Sequence, residues 1–505
     1  MNGGVPPHVH GVVRGLDAVG SSPQFEGRFG RMFRTLPAAK FSEKALKDLA
    51  AAMVSESEPP TPEDKIDPEE NFAISAGFTY LGQFIDHDLT FDPASSLQKQ
   101  NDPDGLVDFR TPRFDLDCVY GRGPSDQPYL YRGDGIRLLQ GRPLTGNPQD
   151  PKTRDVPRNT PVDGEPKRAL IGDPRNDENV IVSQLQSTFL RFHNRMADLH
   201  LNAPFDRVQR LVRFYYQWVV LNDFLPTILD KDTLDSILPH LKKGTNTVQD
   251  PPVLRFYTFR DNPFIPVEFS VAAYRFGHSM VRPIYRLNTT LPERQVIFSL
   301  DAQVDNLVGF REFPSNWAIE WNLYFDFGNN PPKRGKNRLQ QAYKIDSSLV
   351  NPLGGLPPSI ASTIPSLAER NLLRGLRMGL PSGQDVARKM SIPVIPDNKL
   401  VVGKAAKGED DENKPLTEVA AEFAGKAPLW YYILAEAQQA FKGDNKDPIK
   451  LGPLGSRIIG ETFVGLMLGD RFSFLNQEPT WKPAPELTRN GKFGMAELIT
   501  QAMKA

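Results

Sequence analysis

Phe78-Thr79-Tyr80-Leu81-Gly82-Gln83-Phe84-Ile85-Asp86-His87-Asp88 closes an apolar pattern that starts at Phe72 and returns at Ala76, Tyr80 and Phe84. Recurrence every four residues places side chains on one helical face, so the spacing predicts a helix over 71–89. The last turn of that helix changes character. Gln83 and His87 are i,i+4 and share a face, Asp86 lies beside it, and Asp88 points away. Two readings stand for this turn. It is the polar end of an amphipathic helix, or it gathers an amide, two carboxylates and an imidazole for chemistry.

Outward from this stretch the chain reads as mainly α. Residues 41–58 carry Leu46, Leu49 and Met53 on one face after the cap Ser42. Apolar spacing predicts further helices at 177–201, 205–229, 267–281, 317–325, 366–377, 416–441 and 453–469. Strand patterns are few, the best being 295–298 (QVIF). Residues 1–40 read as an irregular arm, and 41–505 as a single domain without a dividing linker. The stretch 92–174 is mostly loop, dense in Pro, Gly, Asp and Arg, and a long weakly structured segment of this kind is usually functional or ligand-bound. Residues 404–414 (KAAKGEDDENK) and the basic run at 333–344 read as solvated surface.

Composition narrows the class. The chain has 505 residues, of which 39% are hydrophobic and 24% charged, as in an ordinary globular protein. Sixty basic against 61 acidic residues give a formal charge of −1, so no global basic field gathers nucleic acid or anionic lipid. The one cysteine, Cys118, excludes an internal disulfide and a thiolate metal cage. No apolar run is long enough for a transmembrane segment. The N-terminal residues lack the charged and apolar regions of a secretory signal. The expected location is cytoplasmic, or exported without a classical signal peptide.

Three further clusters carry candidate chemistry. Gly172-Asp173-Pro174-Arg175-Asn176-Asp177-Glu178-Asn179 opens a long apolar helix. Capping by Asp173 or Asn176 and the helix dipole account for the acids, but not for Arg175, a cation where the dipole disfavours one. In 267–281, Ser270, Ala273 and Gly277 recur at three- and four-residue steps with His278 at the edge of the stripe. Small residues admit a flat body or another helix, and a histidine beside them suits an axial haem ligand or a satisfied core position. Thr111, Asp115 and Asp117 alternate along an irregular segment, with the Arg113 carbonyl able to join; hard oxygen donors so spaced suit calcium, without an EF-hand's glycine and terminal glutamate. Of the other histidines, His8, His10 and His240 have no chemical neighbourhood in sequence.

In order, these segments resemble the animal-type haem peroxidases, the superfamily that also holds cyclooxygenase, and most closely its bacterial members reduced to the catalytic domain. The resemblance runs from about 70 to about 475. It is carried by the 78–88 segment, by Asp117-Cys118-Val119-Tyr120-Gly121, by Gly172-Asp173-Pro174-Arg175 with Phe192-His193-Asn194-Arg195, by Tyr274-Arg275-Phe276-Gly277-His278, and by Arg370-Asn371-Leu372-Leu373-Arg374-Gly375 with Gly379-Leu380-Pro381-Ser382.

The resemblance implies a mainly α fold with haem b buried between the helix at 71–89 and the helix at 267–281. It implies His87 as distal histidine, Arg175 as distal arginine and Gln83 beside them. His278 is then the iron ligand, with Asn371 on its far nitrogen. Asp86 and Glu178 match carboxylates that can esterify to haem, and Arg275 and Arg374 match arginines near its propionates. Asp88, Thr111, Arg113, Asp115 and Asp117 match a calcium site, and His193 a structural position. The implied activity is reduction of hydrogen peroxide with oxidation of phenols, iodide, bromide or thiocyanate, and a part in the response to oxidative stress. Asn179 stands where some members carry a methionine joined to haem, so chloride is not an expected substrate. The superfamily's fatty-acid dioxygenases keep a tyrosine three residues before the iron-binding histidine; Arg275 stands there, and Tyr274 is one residue off. A haem-free adhesion or matrix protein is a third reading, and it leaves the retention of His87, Arg175 and His278 without a reason.

Overall fold

The computed structural model describes residues 27–505 except 58, 91–106, 109–110, 163, 260–262, 302, 359, 362, 407–412 and 445. His8, His10 and most of the arm expected over 1–40 lie outside these residues. The elements that position the site are β1 (Gly27–Gly30), α1 (Glu43–Met53), β2 (Glu70–Ser75), α2 (Gly77–Leu89), β3 (Val107–Asp108), α3 (Val180–Leu199), α4 (Phe205–Val219), β4 (Ile265–Pro266), β5 (Ile284–Tyr285), β6 (Gln295–Val296), β7 (Gln341–Tyr343), α5 (Leu367–Arg377), α6 (Leu429–Gln438), α7 (Pro453–Gly469) and α8 (Met495–Ala502). Helices dominate, and the strands are short: β1 lies between β3 and β4, while β2 pairs with β7 and β5 with β6. Among the described residues no helix is long and apolar enough to cross a membrane. The fold is mainly α, as the sequence indicates.

The core is built around α3, buried over nearly its whole length. Phe84 of α2 stacks on Phe189 of α3 at 4.4 Å between centroids, and Tyr216 of α4 meets both rings edge-on. Such aromatic geometry adds about 0.5–1.5 kcal/mol per pair beyond area burial. It fixes the rotation of α2 about its axis, and therefore which way Asp86, His87 and Asp88 face. Helix α1 follows the expectation, with Ser42 Oγ accepting from Ala45 N at 3.1 Å and Leu46, Leu49 and Met53 buried.

The helix expected over 71–89 starts only at Gly77; residues 70–75 are strand β2. Long-range partners hold them extended. Asn71 pairs both ways with the backbone of Ile449 (2.8 and 2.9 Å), and buried Glu70 takes Arg282 and Arg338. Phe72, read as the first residue of the apolar face, is 44% exposed. Gly77 allows α2 to begin where it does, because a Cβ there would lie 2.5 Å from the Tyr324 carbonyl.

The segment expected as a regular helix over 267–281 is a π-wound turn, Glu268–Ala272, followed by a 3-10 turn, Ala273–His278. Buried Glu268 receives the N–H groups of Met32 and Phe33 (3.0 and 3.2 Å), and the backbone breaks at Ala272 with φ −125° and ψ −72°. In a 3-10 turn residues three apart eclipse, so Arg275 and His278 lie on one face. Elsewhere the expectations shorten for local reasons. Pro226 cannot donate back to Asn222, and 220–224 widens into a π turn after α4. Side-chain amides take the backbone of 316–319 (Gln184, Asn288 and Asn147), leaving one 3-10 turn at Trp321–Leu323. Pro428 breaks 416–441 and starts α6.

Candidate active site

A cavity of about 350 Å³ opens between α2 and the Ala273–His278 turn. Gln83, Asp86 and His87 enter it from α2, and Glu178 and Asn179 from the start of α3. Tyr274, Arg275, Gly277 and His278 form the facing wall, and Arg370, Asn371 and Arg374 reach it from α5. A Cβ at Gly277 would meet nothing within 4 Å, so the wall beside His278 is open at backbone level.

On the α2 side, His87 is 5% exposed and its Nδ1 lies 2.7 Å from Asn176 Oδ1. Burial, then the Arg175 charge, bring its pKa down to about 4, against the pull of Asp173, Asp86 and Asn176. Its imidazole is neutral at ordinary pH. Arg175 is not on the cavity wall. Its guanidinium is paired with fully buried Asp173 at 2.7 Å and donates to the His87 carbonyl at 3.1 Å, which ties it to the backbone of the histidine.

Gln83 is clamped, donating to Glu178 Oε1 (3.1 Å) and accepting from Asn179 Nδ2 (3.0 Å). Asn179 also caps α3, its Oδ1 accepting from Ile181 N and Val182 N. Asp86 and Glu178 differ electrostatically. Burial raises both, but at Asp86 the charges of Arg275, His87 and Arg175 outweigh it and its pKa falls. Glu178 keeps a net upward shift. Arg275 reaches from the facing turn to Asp86 Oδ2 at 3.4 Å and donates to Ser270 O at 2.8 Å.

On the facing side, Asn371 Nδ2 lies 2.8 Å from His278 Nδ1. Burial, then Arg275, lower the His278 pKa to about 3, so this imidazole too is neutral and able to ligate. His193 is held off the cavity between Tyr120 Oη (3.0 Å) and Ile136 O (2.8 Å), a structural position.

Asp88 faces away, as the helix phase predicts. Its carboxylate, with those of Asp115 and Asp117, offers three ligand oxygens within 4.8 Å of one another. Asp88 is fully buried, and burial with the two neighbouring acids pushes its pKa well up. Thr111 Oγ1 donates to Asp115 Oδ2 at 2.7 Å, so it belongs to the cluster. The Arg113 side chain turns to Asp470 (3.7 Å), which leaves only its backbone for the cluster. Helix α4 fixes the loop, Arg213 donating to Asp115 O and Gln217 to Phe114 O.

Three residues on or next to the cavity carry roles that the sequence reading missed. The sequence pattern offers Asn176 only as a cap, yet it holds His87; its signal is position, one residue after Arg175. Asn179 stands out in the sequence only for the absence of a methionine, yet it fixes Gln83. Arg370 stands on the wall beside Asn371, and nothing in the local pattern separates it from a surface arginine.

A family model described as animal haem peroxidase matches residues 95–307. The match takes in Arg175 and His278, while His87 and Asn371 lie outside it. Thyroid peroxidase of Mus musculus is 25% identical over 419 residues, which is 77% of this chain and 41% of that protein. The chain thus spans about two-fifths of the length of the first curated relatives it matches. Among solved structures, peroxidase A of Dictyostelium discoideum aligns with a TM-score of 0.58 at 17% identity, covering 95% of this chain and 93% of that one. A fatty acid alpha-dioxygenase of Oryza sativa aligns with a TM-score of 0.54 at 14% identity, covering 92% and 78%. These two likenesses concern the fold.

Proposed function

We propose that this chain is a haem-dependent peroxidase of the animal haem peroxidase family, which reduces hydrogen peroxide and oxidises small electron donors. One observation carries the reading. A single cavity presents a neutral imidazole from each of two facing elements, and each ring has its Nδ1 held by a different asparagine. The donor set fits haem. His278 would hold the iron through Nε2. Asn371 sets Nδ2 against Nδ1 in this structure, and a turn of its amide through 180° would bring Oδ1 there to accept the Nδ1 proton that this requires. Arg275, Arg370 and Arg374 supply cations for the propionates, and Asp86, drawn toward its ionised form, and Glu178 are the carboxylates available for ester links.

Bound haem would supply the iron at which peroxide is reduced and from which donors are oxidised. The remaining chemistry belongs to side chains. Neutral His87 takes a proton from peroxide at Nε2 and returns it to the departing oxygen, a cycle open to a group that is unprotonated at working pH. Arg175 acts from behind the wall: paired with Asp173 and bonded to the His87 carbonyl, it holds the backbone that aims the imidazole and adds a guanidinium to the field in which the oxygen–oxygen bond breaks. Gln83, clamped on both sides, offers a preoriented amide beside His87. The expected donors are phenols, iodide, bromide and thiocyanate. Chloride is not among them, because Asn179 is engaged in capping α3 and holding Gln83 and cannot supply a methionine's link to haem.

One observation favours a second reading, a fatty-acid dioxygenase: Tyr274 lines the cavity. Its hydroxyl donates to the Gly82 carbonyl at 3.2 Å, and Arg275 holds the adjacent position. Peroxide-dependent oxidation of a phenolic dye, measured beside oxygen uptake on a fatty acid, separates the two. The expected result is rapid dye oxidation that requires peroxide. Peroxide-independent oxygen uptake with little dye oxidation overturns the peroxidase reading.

We assign calcium to Asp88, Asp115, Asp117, Thr111 and the Arg113 carbonyl. Three carboxylates this close repel one another without a cation, and Asp88 directly follows His87, so the ion stiffens the turn that aims the imidazole. Metal analysis of the active protein should find about one calcium per chain. Asp115→Ala with Asp117→Ala should lose calcium, thermal stability and peroxide reactivity together. Active protein free of calcium refutes the assignment.

A further inference from the structure

We infer that Asn176 is a positioning residue, locked by Gln186 and the Cys118 carbonyl, that fixes the proton of His87 on Nδ1 and leaves Nε2 bare toward the cavity. The inference rests on the peroxidase reading for its consequence, and on hydrogen bonds alone for its structure.

The argument starts at the end of the chain of contacts. A backbone carbonyl can only accept, so the Gln186 amide must present its NH2 group to Cys118 O, as it does at 3.2 Å. Its Oε1 is thereby turned the other way and accepts from Asn176 Nδ2 at 2.8 Å. That in turn directs Asn176 Oδ1 at His87 Nδ1, 2.7 Å away. An amide oxygen cannot donate, so the proton of this bond belongs to the imidazole. One acceptor that cannot change its character thus sets two amides and one tautomer in sequence.

Burial protects this order. Asn176, Gln186 and Cys118 are fully buried, so no bulk water offers an alternative partner. The turn carrying Asn176 is held at both ends. Asp173 accepts from Arg175 N at 2.8 Å, and Asp177 is gripped by Arg158 at 2.8 Å and by Ser183 Oγ at 3.1 Å. The Cys118 carbonyl is itself fixed by Asp173 N at 3.1 Å. Leaving any of these buried amides unpaired costs about 1–3 kcal/mol, so the chain holds together or rearranges as a whole. When Nε2 takes up a proton, the bond from Nδ1 to Asn176 becomes charge-assisted and stronger, which steadies the imidazolium during the proton cycle.

The test reads the tautomer directly. Long-range 1H–15N spectra of the full haem-loaded chain with labelled histidine, in a diamagnetic low-spin form, should show His87 protonated at Nδ1 and bare at Nε2, with His87→Gln assigning the signal. Asn176→Leu removes the acceptor. It should shift the proton toward Nε2 and slow the peroxide reaction by about 10²–10⁴-fold, the range for losing a correctly poised base, while haem content is unchanged. Gln186→Leu keeps Asn176 but removes the lock on its amide, and should move part of the proton toward Nε2 with a smaller loss of rate than Asn176→Leu, an effect on the tautomer that a merely structural role does not give. Wild-type protein with the proton on Nε2 overturns the inference, as does Asn176→Leu with an unchanged tautomer and rate. If Asn176→Leu does not fold, the wild-type and Gln186→Leu spectra still decide. Wild type with the expected tautomer but no reaction with peroxide leaves the relay standing and removes the peroxidase reading instead.

Discussion

Replacing His87 with alanine should slow the reaction with hydrogen peroxide by about 10²–10⁴-fold, or roughly 3–5.5 kcal/mol of activation free energy, and leave haem bound. Both halves follow from position. His87 enters the cavity from α2 and His278 from the facing turn, so the substitution removes the proposed proton carrier and leaves the proposed iron ligand and Asn371 untouched. The expected damage is confined to the peroxide step. Oxidation of donors after that step changes little, so stopped-flow mixing with peroxide separates the two. The wild-type step should also hold level above roughly pH 5 and fall as pH drops through about 4, where His87 becomes protonated and Nε2 can no longer accept. The sign is that of a base: a pKa lowered by burial extends activity toward acid. A variant that meets peroxide at the wild-type rate removes His87 from the mechanism.

His278→Ala should abolish haem retention, and with it all peroxide-dependent oxidation. Weakening a hydrogen-bond partner of a metal ligand typically costs 10–100-fold in affinity, roughly, and loss of the ligand itself should exceed that. The chain should still fold, because His278 ends a short 3-10 turn whose anchors lie elsewhere. Glu268 is fixed by Met32 and Phe33, and Arg275 by Ser270 and Asp86. The check is haem per chain together with the thermal midpoint. The expected result is a haem-free protein with a cooperative unfolding transition. A His278→Ala protein with wild-type haem content and spectrum refutes the assignment of the ligand.

The helices around the site were legible wherever a periodic apolar face met a clear terminator. Ser42 before α1 is of this kind, whereas the cap of α3 is Asn179 and not Asp173 or Asn176. Reading failed where distant groups claimed the backbone. Asn71 and Glu70 are drawn to partners more than 200 residues away, and the apolar step from Phe72 to Ala76 then describes a strand. Glu268 does the same to 268–272, binding the N–H groups of residues 236 and 235 positions earlier and widening the helix into a π turn. No local pattern announces such bonds.

The candidate site divides along the same line. Sequence by itself determined which donors this protein has and in what order, because residue type and short spacing are local properties. Gln83 with His87 on one helical face, Asp88 on the other, and Arg275 three residues before His278 needed no more than helical geometry. Only the tertiary structure decided what each donor meets. His87 and Asn176 are 89 positions apart, His278 and Asn371 are 93, and Gln186 and Cys118 are 68. It also took Arg175 off the cavity wall and onto Asp173. Tautomer, charge state and direction of a proton depend on such partners in a buried, water-poor interior, where one hydrogen bond outweighs intrinsic preference. Sequence supplies the groups, and the packing of α2, α3 and the Ala273–His278 turn gives them their chemistry.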